Sequence, residues 1–160
     1  LCAPAALVNL FHPEDGSQPV IIHPVRDNPA QSGDCVMVAN WHTALSNPRN
    51  YADWLIGLKE KTPVDTAWYA PGTALPSNAH ILCYSGFDLF DFLAVDLKTA
   101  QGLFCTPEGE FPPGALGSGI CSCEGCRNKN LFQHNRQALI SEIALISRFI
   151  EASQLRDLVE

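Results

Sequence analysis

Along the first forty positions apolar residues come in short runs, at 5–11, 19–23 and 35–39, separated by Pro, Gly, Asn and Asp. Runs of this length bounded by turn formers predict buried strands. The rhythm changes after Asn47. Pro48 suits a first helical position, and Tyr51, Trp54, Leu55 and Leu58 recur at helical spacing, so an amphipathic helix is expected over 47–61. Pro63 stops it, and 64–69 reads as a further strand before the Pro71-Gly72 turn. Residues 79–85, apolar but for His80 and Ser85, predict a continuous strand buried on both faces, as parallel strands in α/β domains are. Asp88 and Asp91 would then lie just past that strand's C-terminal end, where α/β folds collect functional groups.

Residues 102–106 read as a short strand running into a turn at Pro107-Glu108-Gly109. From Asn135 a helix is expected, striped by Leu139, Ile143, Ile146 and Ile150, and a short second helix over 154–159 follows it. The expected architecture is α/β in a single domain: an α/β portion over 1–116 with a reduced or partial barrel-like sheet, then a metal loop and helical hairpin over 117–160. An open sheet exposes edges that proteins normally pair or cover, so an oligomer or docking to another domain is expected.

Composition narrows the class. With 46% apolar and 17% charged residues the chain is expected to fold throughout. No run of about 18 apolar residues occurs, and the first residues lack the pattern of a secretory signal, so a cytoplasmic protein without membrane association is expected. The net charge of −7 makes the chain a poor polyanion binder by itself. Its densest basic spots, 59–61 and Arg127-Asn128-Lys129, are small. Any tRNA partner would have to be engaged through partner domains or subunits.

Seven cysteines are present, three of them within six residues. A disulfide framework spreads its cysteines, whereas Cys121-x-Cys123-x2-Cys126 wraps three thiolates around one point. His134 follows at the start of a helix, where an imidazole can complete a tetrahedron. Three thiolates and one imidazole are the donor set of a closed structural Zn2+ site, without the open position that catalysis needs. Cys2, Cys35, Cys83 and Cys105 sit among apolar neighbours and read as inert buried thiols. His12, His23, His42 and His80 have no comparable grouping.

These motifs resemble the tRNA-guanine transglycosylases, particularly the archaeal branch. That family's zinc pattern is CxCxxC followed by a His-Asn pair opening a helix, matched by Cys121, Cys123, Cys126 and His134-Asn135. Gly86-Phe87-Asp88-Leu89-Phe90-Asp91 looks like its Gly-x-Asp-Leu-Phe-Asp motif. Gly102-Leu103-Phe104 with Thr106-Pro107-Glu108-Gly109 resembles the strand and turn before its zinc loop, and the last six residues are similar to the archaeal ending. The resemblance covers about residues 79–160. By position it implies Asp91 as a nucleophile on the ribose anomeric carbon, with Asp88 beside it. The same residues also read as structural caps.

The departures point to a relative. A complete (β/α)8 barrel needs at least about 200 residues, and the stretches that hold the purine base in transglycosylases do not occur here. Such a loss resembles the degenerate N-terminal region of archaeosine synthase, which keeps zinc ligands while a different domain amidates a nitrile-bearing base already in tRNA. The resemblance implies a scaffold or tRNA-facing part of a tRNA-modifying transferase. An active base-exchange enzyme using Asp91 and a zinc-stabilised protein-interaction module are the alternatives.

Overall fold

The computed structural model describes residues 20–22, 35–38, 48–115 and 121–159. The expected strand over 5–11, Cys2, and three of the histidines (His12, His23 and His42) lie outside the described residues. These residues form two compact units. One takes those through Pro71 together with Phe87–Leu89, and the other takes Gly72–Gly86 and the chain from Phe90 onward.

In the first unit β1 (Val20–Ile22), β2 (Cys35–Val38) and β3 (Ala67–Tyr69) make a parallel sheet in that order. Val36 pairs with Val20 on one side and Trp68 on the other. Parallel neighbours need a crossover, and α1 (Pro48–Lys59) supplies the one between β2 and β3. Pro48 opens it as expected, and Leu55 and Leu58 are its buried positions. It ends where the Thr62 hydroxyl donates to the Leu58 carbonyl and Pro63 follows. Val36, Val38 and Trp68 fill the core here, and Lys59 lays its ammonium 4.0 Å from the Trp68 ring centroid. Burial lowers the Lys59 pKa, with Asp88 opposing the shift. Tyr69 also makes a parallel bridge to Leu89.

The second unit is mainly helical. It contains α2 (Ala79–Tyr84), α3 (Leu93–Ala100), the antiparallel hairpin β4 (Phe104–Thr106) and β5 (Gly109–Phe111), then α4 (Glu124–Arg127), α5 (Leu131–Glu151) and α6 (Leu155–Val159). At about 1.5 Å per residue α5 is roughly 31 Å long and packs against α2, α3, α4, β4 and α6. Leu139 and Ile146 of the expected stripe are buried, whereas Ile150 is exposed. Ser153, with φ 58, turns the chain into α6.

Two expectations are corrected. Of residues 79–85, Ala79–Tyr84 form a helix, not a strand, and only Ala79 and Leu82 of it are fully buried, while Ile81 and Tyr84 are exposed. Burial three residues apart is a helical signature, and a short apolar run does not itself distinguish a strand from a buried helix. Gly86, at φ 82, ends α2 by donating its N–H to the Cys83 carbonyl, the usual glycine stop. Asp88 and Asp91 therefore follow a helix rather than a strand. The long helix also begins four residues before Asn135, because the Asn130 side chain caps it by accepting from the Gln133 N–H. The fold is thus mixed helix and strand with small sheets, and no closed barrel is found among the described residues.

Candidate metal centre

The loop from Cys121 to Asn130 is built to bring sulfur to one point. Cys123 is the N-cap of α4, and its Sγ accepts the Cys126 backbone N–H at 3.3 Å. Arg127 fastens the turn by donating to the Ser122 carbonyl at 2.7 Å. Lys129, at φ 53, reverses the chain, and Asn130 then caps α5. The close approach of α4 to the start of α5 depends on Gly125. A Cβ there would fall 2.3 Å from the His134 nitrogen and 2.7 Å from its Cα, so no larger residue fits this backbone.

His134 occupies the first turn of α5, 3% exposed, with Phe104 edge-on to its ring at 5.2 Å. Its Nδ1 lies 3.3 Å from each of the Sγ atoms of Cys121, Cys123 and Cys126, and Cys121 and Cys126 Sγ are 3.1 Å apart. All four ligand atoms fall within 4.8 Å of one another. One imidazole nitrogen carries one lone pair or one proton and cannot satisfy three sulfurs by hydrogen bonding. An ion between them gives every donor a bond, and bonds of about 2.3 Å to sulfur and 2.0 Å to nitrogen would set the ligand atoms roughly 3.5–3.8 Å apart. The Nδ1–sulfur distances and the Cys121–Cys126 distance are slightly shorter than that, and all four donors stay within 4.8 Å, so the residues fit a metal ion. Nε2 is buried and has no hydrogen-bond partner among the described residues.

Electrostatics point the same way. Burial pushes the Cys123 thiol up, but hydrogen bonds from His134, the Cys126 N–H and the neighbouring thiols outweigh it and hold it at about 6. Cys126 is pushed up to about 12, first by burial and then by Cys121 and Cys123. Thiolates this close repel one another unless a cation lies between them.

Asn135 is the residue whose role the sequence did not disclose. It is fully buried; its Oδ1 accepts the Cys105 N–H, and its Nδ2 donates to Thr99 Oγ1 and the Leu103 carbonyl, all at 2.8 Å. One amide therefore ties α5 to the end of α3 and to β4, next to the histidine. Arg136 reaches Asp96 on α3 through two nitrogens, at 3.0 and 2.6 Å, with its guanidinium 4.1 Å from the Phe132 ring centroid.

The two aspartates are engaged by backbone, each within its own unit. Asp88 Oδ2 accepts the Trp68 N–H at 2.9 Å, while the Asp88 and Leu89 N–H groups donate to the Trp68 carbonyl. Asp91 Oδ2 accepts from Gly72 N–H at 2.9 Å and its Oδ1 from Leu93 N–H at 2.8 Å. Cys105 is 0% exposed, its thiol pushed up to about 11 chiefly by burial, which matches the inert reading. His80 lies on α2 and is not one of the metal cluster's donors.

No known family model matches the chain. It is 32% identical over 145 residues to archaeosine synthase subunit alpha of Methanosarcina acetivorans, covering 81% of this chain and 23% of that protein. It is also 31% identical over 134 residues to archaeosine synthase of Haloferax volcanii, covering 79% of this chain and 23% of the relative. The chain therefore spans about a quarter of the length of these curated relatives. Over some four fifths of its own length, this chain is a homologue of a segment of archaeosine synthase.

Proposed function

We propose that the chain is a zinc-bearing, transglycosylase-like module of archaeosine formation in tRNA, acting in the cytoplasm as a scaffold or tRNA-facing part rather than as a self-sufficient catalyst. The observation that carries this reading is the convergence of Cys121, Cys123, Cys126 and His134 within a chain related to archaeosine synthase. Zinc here supplies cross-linking and charge neutralisation, and four protein donors leave no position for substrate. The three cysteines and His134 hold the ion, Gly125 permits the approach, and Asn135 fixes the helix that carries the imidazole.

The state of Asp91 favours the scaffold reading. Both carboxylate oxygens accept backbone N–H groups, which suits a clamp between Gly72 and the start of α3 better than an attacking nucleophile. With a net charge of −7, tRNA affinity must come mainly from partner domains or subunits.

The test compares two activities. The chain alone should not exchange labelled guanine into tRNA. In a reconstituted archaeosine-forming system, Asp91→Asn should retain the chain's contribution while Cys126→Ser loses it. Guanine exchange by the isolated chain, abolished by Asp91→Asn, would replace the scaffold reading with that of an active transglycosylase.

A further inference from the structure

The four donors of the metal centre are not equally protected. His134 is buried, Cys123 and Cys126 are half-buried, and Cys121 is exposed. Nor are they equally fixed. Cys123 caps α4, Cys126 lies inside it and His134 sits in the first turn of α5, whereas Cys121 precedes α4, outside any helix or strand. The cavity beside the centre is lined by Cys121 and Cys123 but not by Cys126, so a small solute meets the cluster on its Cys121 side. Exposure separates reactive cysteines from inert ones, and Cys105 in the same unit, fully buried, shows the inert case. A resolving thiol also stands ready, since Cys126 Sγ is 3.1 Å from Cys121 Sγ.

From this asymmetry we infer that the centre is an oxidation-sensitive clasp: a peroxide oxidises Cys121, Cys126 resolves it as a disulfide, and the zinc ion is released. In the first step the Cys121 thiolate attacks one peroxide oxygen, the O–O bond breaks, and the sulfur becomes a sulfenic acid while hydroxide leaves. In the second the Cys126 thiolate attacks that sulfur, the S–S bond forms, and the S–O bond breaks with loss of a second hydroxide. Two thiolates have then lost two electrons to the peroxide, and both hydroxides take up protons as water. Cys123 and His134 are the protein donors that remain, fewer than a structural zinc site needs, and the ion departs unchanged as Zn2+. The new disulfide lies within the loop, so it does not replace the tie that the ion makes from the loop to His134 on α5. Oxidation therefore removes the metal's contribution to folding. The switch presupposes the zinc site proposed above, but not that site's role in tRNA modification.

The test treats the zinc-loaded chain with hydrogen peroxide, follows zinc release with a weak chromogenic chelator, counts free thiols and maps the disulfide by peptide mass spectrometry. One ion and two thiols should be lost for each peroxide consumed, with Cys121 joined to Cys126. The melting temperature should fall to that of the metal-stripped chain, and dithiothreitol with fresh zinc should restore it. Cys121→His keeps four donors while removing the exposed sulfur, and should release zinc at least about tenfold more slowly under peroxide, because the remaining sulfurs are less accessible. Should that variant fail to fold or to load zinc, the disulfide mapped in the parent decides. A chain that holds no zinc before peroxide is added would overturn the switch and the zinc site together. A zinc-loaded parent that keeps its ion while other cysteines are oxidised, a mapped disulfide lacking Cys121, or undiminished release from zinc-loaded Cys121→His would overturn the switch alone.

Discussion

Each of the two compact units is stabilised from within, and by different physics. In the first, β1, β2 and β3 join through a parallel ladder, and Val36, Val38, Leu55, Leu58 and Trp68 close over it. Each such side chain contributes a share that a similar apolar residue could replace. In the second, polar groups with unique partners do the joining: four ligand atoms at one point, one amide with three partners, and one glycine without room for a Cβ. Substitution should therefore be graded in the first unit and all-or-none around the centre of the second.

Metal removal is the largest expected effect. Structural zinc contributes on the order of 10 kcal/mol to small domains, so a strong chelator should lower the melting temperature sharply, as should Cys126→Ser. Because the thiols must lose protons to bind the ion, metal affinity should fall as pH drops, with Cys126, pushed up to about 12, releasing its proton to solvent as the ion binds. A competition titration at several pH values reads this directly.

Gly125→Ala comes next. Its Cβ would overlap the backbone of His134, and moving that backbone displaces Nδ1 from the sulfurs. We expect weakened metal binding together with a loss of several kcal/mol, roughly the scale of overpacking in a close-packed site. Val38→Ala in the first unit should instead lower stability by about 1–3 kcal/mol without changing metal affinity. Asn135→Ala strands the Cys105 N–H and the Leu103 carbonyl, so a loss of about 2–4 kcal/mol is expected in denaturant unfolding.

The smallest effect concerns Asp96. Its hydrogen bond and charge pairing with Arg136 hold its carboxyl below the usual range. The folded state therefore binds fewer protons than the unfolded state near pH 4. The pair's stabilisation is present above the unfolded value of about 3.9 and is lost as pH falls through the folded value. Since both side chains are about one-third exposed, Asp96→Asn should only slightly flatten the acid limb of the stability curve.

What the sequence disclosed follows the same division. The convergence of Cys121, Cys123, Cys126 and His134 was readable because CxCxxC is a local pattern, and α1 was readable from Pro48 and the spacing of Leu55 and Leu58. Residues 79–85 were misread because so short and mostly apolar a run carries no clear period, although Gly86 was a legible helix stop. The start of α5 was placed late because the capping signal at Asn130 was passed over. Asn135 pairs with Thr99, Leu103 and Cys105 across thirty or more residues, and no local pattern encodes such partners.

The most direct test is metal stoichiometry of the purified chain, measured by elemental analysis and by titrating Co2+ into metal-free protein. One ion per chain is predicted, with the visible absorption of a tetrahedral thiolate site, discharged by one equivalent of zinc and absent in Cys126→Ser. A chain that takes up no stoichiometric metal, and melts identically with and without chelator, would contradict the account.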